Sequence, residues 1–227
     1  MAEIITSSSS VPSSSAIVAL GVATIVSLSI VRRVLDRRSS PLIRSKLSCK
    51  CGKIQGEVEA IKYDSVVLNC YCQDCRDYGS FIAGLDGKRD THCFHGSFGE
   101  SRILQVCKSD LKIHAGQEHL KLARKAPNTG MSRFYADCCH VPILNTHDFL
   151  GFVGILRANL DREQERFGQP VRCFQEEALA EKMEHAEPNL FIPSLLWKLL
   201  RYHPWRKAGV PFNYQQDPVF WGNKKQE

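Results

Sequence analysis

Seven cysteines in three short blocks constrain this chain more than any other feature of its sequence. Cys49 and Cys51 form C-x-C ahead of a glycine; Cys70, Cys72 and Cys75 form C-x-C-x-x-C; Cys138 and Cys139 are adjacent and precede His140. Thiolates are soft metal ligands, and such spacings place several sulfurs within reach of one ion. Seven clustered sulfurs suit two zinc sites. In the middle block, three thiolates from one tight turn can hold zinc at about 2.3 Å and leave a fourth position open to chemistry. A fourth ligand from elsewhere would instead close that site into a staple, and disulfide pairing or ordinary buried thiols are the remaining alternatives. Cys49 and Cys51 need partners from far along the chain, and Cys138 and Cys139 are the obvious supply. A structural zinc there would tie the two ends of a small domain together. Cys93, Cys107 and Cys173 are isolated and read as core or incidental thiols.

The compartment expected for these thiols follows from the N-terminus. Residues 1–31 contain one charged side chain, Glu3, and the apolar run AIVALGVATIVSLSIV covers Ala16 to Val31. With the preceding serines this makes roughly nineteen residues, about 28 Å as a helix, which nearly matches a bilayer core. Arg32, Arg33, Arg37 and Arg38 follow at once. A secretory signal would carry its positive charge before the apolar run, and a transit peptide would spread arginines through an amphipathic helix. The reading is therefore a retained single-pass anchor over residues 13–31, with the zinc domain facing the cytosol and the organelle left open. Ten cysteines in a reducing cytosol favour metal over disulfides. The net charge of +6 draws on the basic stretch from Arg32 to Lys50. Anionic headgroups account for that charge, so no nucleic-acid partner is expected.

Ser39, Ser40 and Pro41 mark a boundary, giving an anchor and basic collar over 1–40, a zinc-binding domain over 41–160 and a helical extension over 161–227. The middle region reads as mainly β. Lys53 to Ile61 alternates like a half-buried strand, and Ser65 to Cys70, Ser80 to Leu85 and Arg102 to Cys107 are short apolar runs between turn residues. Further strands are expected over Leu111 to Ala115, His119 to Ala123, Ser132 to Ala136 and Val141 to Asn145. After Asn159, helix formers from Cys173 to Ala186 and a proline-initiated run from Pro193 to Leu200 predict helices.

Three blocks, CKCGKIQGEVEA at Cys49, NCYCQDCRD at Asn69 and RFYADCCHVPI at Arg133, resemble in order those of the glutathione-dependent formaldehyde-activating enzymes and their relatives, including centromere protein V. The resemblance spans roughly residues 45 to 150. It implies a β-tent fold with two zinc ions. The structural one is held by Cys49, Cys51 and Cys139, and the catalytic one by Cys70, Cys72 and Cys75. It also implies a carbon-sulfur lyase that joins formaldehyde to glutathione. The sequence departs from the family pattern twice. Ala136 falls where the family has a cysteine, leaving Cys138, Asp137 or His140 to complete the structural site, and Tyr71 stands where the family has histidine.

The expected activity is thus a zinc-dependent lyase acting on a glutathione-like thiol and an aldehyde, or on their adduct. The alternative is a non-catalytic zinc scaffold for a protein partner, and thiol-based redox sensing at Cys138 and Cys139 is a third class. Arg76, next to Cys75, could offset excess negative charge or hold a substrate carboxylate, with Lys88, Arg89 and Arg133 as further carboxylate partners. His114 and His140 could move protons near neutral pH.

Overall fold

Side chains that alternate between solvent and core build the first sheet. In β1 (Leu42–Ser48) every second residue is buried, and β1 pairs antiparallel with β2 (Gln55–Ile61), placing Ile43 opposite Ala60 and Leu47 opposite Gly56. These coordinates are a computed structural model that describes residues 14–85, 87, 95–148, 150–179 and 216–222, without the side chains of 14–23, 25 and 26. The chain divides into two compact units, Met1–Ser40 and Pro41–Glu227.

The first unit contains helix α1 (Ser14–Ser39). Among the described residues no helix is long and apolar enough to cross a membrane. The expected span therefore appears here only as helical backbone, because most of its side chains fall outside those described.

The second unit is mixed α/β and mainly β. Besides β1 and β2 it contains β3 (Val66–Cys70), helix α2 (Gln73–Leu85), β4 (Ser101–Cys107), β5 (Leu111–Ala115), β6 (Leu120–Arg124), β7 (Met131–Ala136), β8 (Val141–His147), β9 (Phe152–Leu156), β10 (Val171–Cys173) and β11 (Val219–Phe220). One sheet has three strands in the order β1-β2-β5, and the other has eight in the order β10-β3-β4-β9-β8-β7-β6-β11. Pairing is antiparallel except at the two edges, where β10 runs parallel to β3 and β11 parallel to β6. Ile43, Leu47, Val58, Leu104, Leu122, Phe134, Leu144 and Ile155 from both sheets form one core. Truncating one of its large members, such as Phe134→Ala, costs about 3–5 kcal/mol.

The segment Ser80 to Leu85, expected as a strand, is the second half of α2. A short apolar run does not separate the two states. What decides is the spacing of Cys75, Tyr78, Gly79, Ile82 and Ala83, which share one buried helical face. Tyr78 and Phe81 pack on Trp221, which follows β11, at 5.2 and 5.9 Å between ring centroids, and Ala123 and Tyr135 complete this cluster.

The expected helical tail also differs where it is described. From Cys173 the chain leaves β10 through Phe174, at φ 57, into a single 3-10 turn over Gln175–Glu177. A left-handed residue directly after an edge strand prevents an α-helix from starting at Cys173. The remainder of that expected helix, and the one over Pro193 to Leu200, lie outside the described residues.

Candidate metal centres

The first centre joins the end of β1 to the β7–β8 hairpin. After Ser48 the chain turns tightly: the Cys49 N–H donates to the Ile54 carbonyl at 3.1 Å and the Gly52 N–H to the Cys49 carbonyl at 3.0 Å. Gly52 sits at φ 78, a left-handed conformation that glycine adopts without steric cost. The Ile54 N–H also donates to Cys49 Sγ at 3.3 Å, which fixes the sulfur inside the turn. The hairpin turn supplies Cys138 and Cys139. Sγ separations are 3.6 Å for Cys49–Cys51, 3.9 Å for Cys49–Cys138, 3.3 Å for Cys51–Cys138 and 4.0 Å for Cys138–Cys139. Four thiolates at about 2.3 Å around a tetrahedral ion lie about 3.8 Å apart, so this donor set fits zinc.

Within the set, the Lys53 N–H and then the Cys138 thiol hold Cys51 at about 6, whereas burial, with Cys51 beside it, pushes Cys138 up. Ala136, where the resemblance led to the expectation of a cysteine, is fully buried in β7 opposite Leu120 and Val141. Cys138 takes its place at the cluster. Asp137 turns instead to His119 Nδ1 at 3.0 Å and Lys121 Nζ at 3.7 Å. His119, Asp137 and Cys138 are themselves close enough to form a further three-donor group.

The second centre forms where β3 runs into α2. Cys70 ends the strand, Cys72 precedes the helix, and Cys75 lies in the first turn, with its N–H donating to the Cys72 carbonyl at 3.1 Å. The three sulfurs lie within 4.8 Å of one another, with 3.3 Å between Cys70 and Cys72 and 3.8 Å between Cys75 and Cys70. These spacings fit three vertices of a zinc tetrahedron. Cys75 is held well below the usual thiol range by Cys70 and Cys72 and then by Arg133. Cys70 is pushed up chiefly by the Cys173 thiol, and Cys72 by Cys70 and Cys75.

Arg133 is the counter-charge. It is only 7% exposed, its Nη1 donates to Cys75 Sγ at 3.6 Å, and its guanidinium lies 5.3 Å from the Tyr78 ring centroid and 5.8 Å from that of Trp221. Burial works against this charge, but the Cys75 thiolate outweighs it and the Arg133 pKa is raised. Arg76, expected in that role, instead donates to the backbone carbonyls of Tyr71 and Glu177 and to Gln73 Oε1. Its work is to tie the start of α2 to the segment after β10. His114 is exposed on β5 and 3.6 Å from Glu57. His140 lies on the hairpin turn at φ 47 and lines a cleft of about 930 Å³ that Cys49, Lys50, Arg102 and Cys139 also border. Lys88, Arg89 and Cys93 are outside the described residues.

Sequence reasoning missed two neighbours of the second centre. Cys173 was set aside as an isolated thiol; it is buried, and the parallel pairing of β10 with β3 places it beside Cys70. No motif marks this, because the partner strand comes from a hundred residues away. His95 lies just before β4, with Nδ1 3.1 Å from Ser101 Oγ. The residues around it, CFHGSFGE, contain no metal or catalytic signature.

Residues 43–201 match a family described as a family of unknown function (DUF6151). No curated protein matches the chain. Among solved structures, a crystal structure of a Rhodobacter sphaeroides protein is similar at 18% identity and a TM-score of 0.39, covering 56% of this chain and 99% of that one.

Proposed function

We propose, for this chain, which belongs to the DUF6151 family, that the three-cysteine centre binds a small thiol such as glutathione. There it joins the thiol to an aldehyde, or releases the aldehyde from such an adduct, as a zinc-dependent carbon-sulfur lyase. One observation carries the reading: three clustered thiols stand beside a buried guanidinium that donates to Cys75. Zinc held by three thiolates is a weak generator of hydroxide, but it lowers the pKa of an incoming thiol enough to make thiolate available near neutral pH. Arg133 would then balance the charge that a further sulfur brings. It lies 5.3 Å from the Tyr78 ring centroid and 5.8 Å from that of Trp221, and these cation–π contacts help hold it there. In the reaction the sulfur bonds to the carbonyl carbon, the carbon–oxygen π bond opens, and the thiol proton ends on oxygen. Similarity of the three cysteine blocks to the formaldehyde-activating enzymes supports this choice of reaction, with the four-cysteine centre as a structural site.

Tyr71, where the formaldehyde-activating enzymes have histidine, favours a second reading, in which the protein is a non-catalytic zinc scaffold for a partner. Anchoring of the zinc domain at the cytosolic face of a membrane, through the apolar run over residues 13–31, is part of the proposal.

The test is to mix the zinc-loaded full chain with glutathione and formaldehyde and follow the adduct by proton NMR. Acceleration over buffer, lost in Cys72→Ser, supports the lyase. The buffer rate, from protein with both centres loaded, would leave the scaffold.

A further inference from the structure

The cleft of about 930 Å³ that Cys49 and Cys139 border is of the size that holds a small organic ligand, about 300–1,000 Å³. Its charged lining is unevenly matched. Lys50, Arg102 and Arg157 are basic, and Glu100 and Glu165 are acidic. Glu100 is already engaged: it is buried, its Oε1 accepts from Arg102 Nη2 at 3.1 Å and its Oε2 from the Phe98 N–H at 3.2 Å. Glu165 is exposed on the 3-10 turn Arg162–Phe167 and, among the described residues, forms no ion pair with Arg157.

Arg157 is the residue that this arrangement leaves waiting. In the β4–β9 ladder Ile103 pairs with Leu156, and the next step along the two strands brings Arg102 toward Arg157. Like charges opposed across an antiparallel pair are unfavourable, and burial together with the Arg102 charge lowers the Arg157 pKa. The guanidinium is nevertheless fixed in place. Its Nε donates to Gln164 Oε1 at 2.6 Å, and Gln164 Nε2 donates back to the Arg157 carbonyl at 3.1 Å. That clamp uses a neutral partner and only the Nε donor, so among the described residues neither Nη group has a hydrogen-bond partner. Paired guanidinium donors form a planar fork that fits a carboxylate or a phosphate. Val141, Pro142 and Leu156 give the same cleft an apolar wall.

We infer that this cleft binds a small organic oxyanion, a phosphate or carboxylate carried on a compact apolar body. The head group sits on the Arg157 fork, with the Arg102 and Lys50 charges nearby, and the body lies against Val141, Pro142 and Leu156. The site is independent of the thiol chemistry proposed above, since none of the sulfurs of the three-cysteine centre borders the cleft.

The test titrates the zinc-loaded full chain with phenyl phosphate, benzoate and inorganic phosphate by calorimetry at physiological ionic strength. Saturable binding of one equivalent of phenyl phosphate or of benzoate is expected, and the tighter of the two identifies the head group. Inorganic phosphate, which lacks the body, should bind more weakly than phenyl phosphate. Arg157→Gln is expected to keep the wild-type zinc content and to weaken the tighter ligand by about tenfold or more. Arg157→Lys, which keeps the charge without the fork, should recover only part. Arg166→Gln removes an arginine that lies outside the cleft and pairs with Glu163 at 3.0 Å, and it should bind as the wild type does. Wild-type affinity in Arg157→Gln would overturn the inference, as would equal weakening in Arg166→Gln, which would mark a diffuse charge effect. Loss of binding in Cys72→Ser would also overturn it, by moving the anion to the metal. So would the absence of saturable binding of either phenyl phosphate or benzoate.

Discussion

The Arg133 guanidinium lies 3.6 Å from Cys75 Sγ and is 7% exposed, so the charge of the three-cysteine centre and that of a buried arginine depend on each other. A buried cation without an anion is strongly disfavoured, and breaking such a pair costs about 3–5 kcal/mol. Arg133→Met is therefore expected to lower unfolding stability by about that amount in the metal-loaded chain. It should also weaken metal at this centre while leaving the four-cysteine centre loaded. Arg133→Lys should recover only part, because an ammonium lacks the planar guanidinium that contacts both the Tyr78 and Trp221 rings and donates to Cys75. Chemical denaturation alongside metal analysis checks both. Unchanged stability in Arg133→Met would remove the pairing.

Cys138, and not residue 136, completes the first centre. Cys138→Ala is expected to lose one metal ion and to lower the midpoint of thermal unfolding, since an ion held by these sulfurs would join the turn after β1 to the β7–β8 hairpin. Adding Ala136→Cys to that variant should not restore the ion, because position 136 faces the core opposite Leu120 and Val141. Recovery of two ions in the double variant would contradict the assignment.

Protons should leave when metal binds, and fewer than one per cysteine. Thiols must deprotonate to ligate, but Cys51, held at about 6 by the Lys53 N–H and then by Cys138, is already largely thiolate at neutral pH, and Cys75 is shifted in the same direction. Calorimetry in buffers of different ionisation enthalpy counts the released protons. For the metal-free chain the sign follows from linkage. A depressed folded pKa stabilises fully above the unfolded value, near 9 here, and that contribution fades as pH falls toward 6. Metal-free stability should therefore decline between pH 9 and pH 6, as denaturation at fixed temperature would report.

The sequence revealed the strands where apolar residues alternated or ran together between turn residues, and the centres where cysteines were close together. β2 to β8 lie near the expected strands: β2 alternates as a half-buried surface does, whereas β3 and β4 are short apolar runs buried on both faces. Ser80 to Leu85 was misread because six residues show too little of a helix to separate it from a strand; the deciding residues, Cys75 and Tyr78, lie before it. The grouping of Cys49 and Cys51 with Cys138 and Cys139 was legible as a shortage of ligands at each end. The surroundings of the second centre were not. Arg133, His95 and Cys173 reach it from β7, from the segment before β4 and from β10, through pairings that no local pattern announces. Arg76 drew attention by adjacency in sequence, yet the helical turn swings its side chain toward the Tyr71 and Glu177 carbonyls.

Metal content tests the central claim most directly: zinc per chain in the purified full-length protein, beside Cys72→Ser and Cys138→Ala. Two separate cysteine centres predict a ratio near two that falls to about one in each variant. A ratio near one that Cys72→Ser leaves unchanged would mean that Cys70, Cys72 and Cys75 hold no metal, and the thiol chemistry proposed for them would fall.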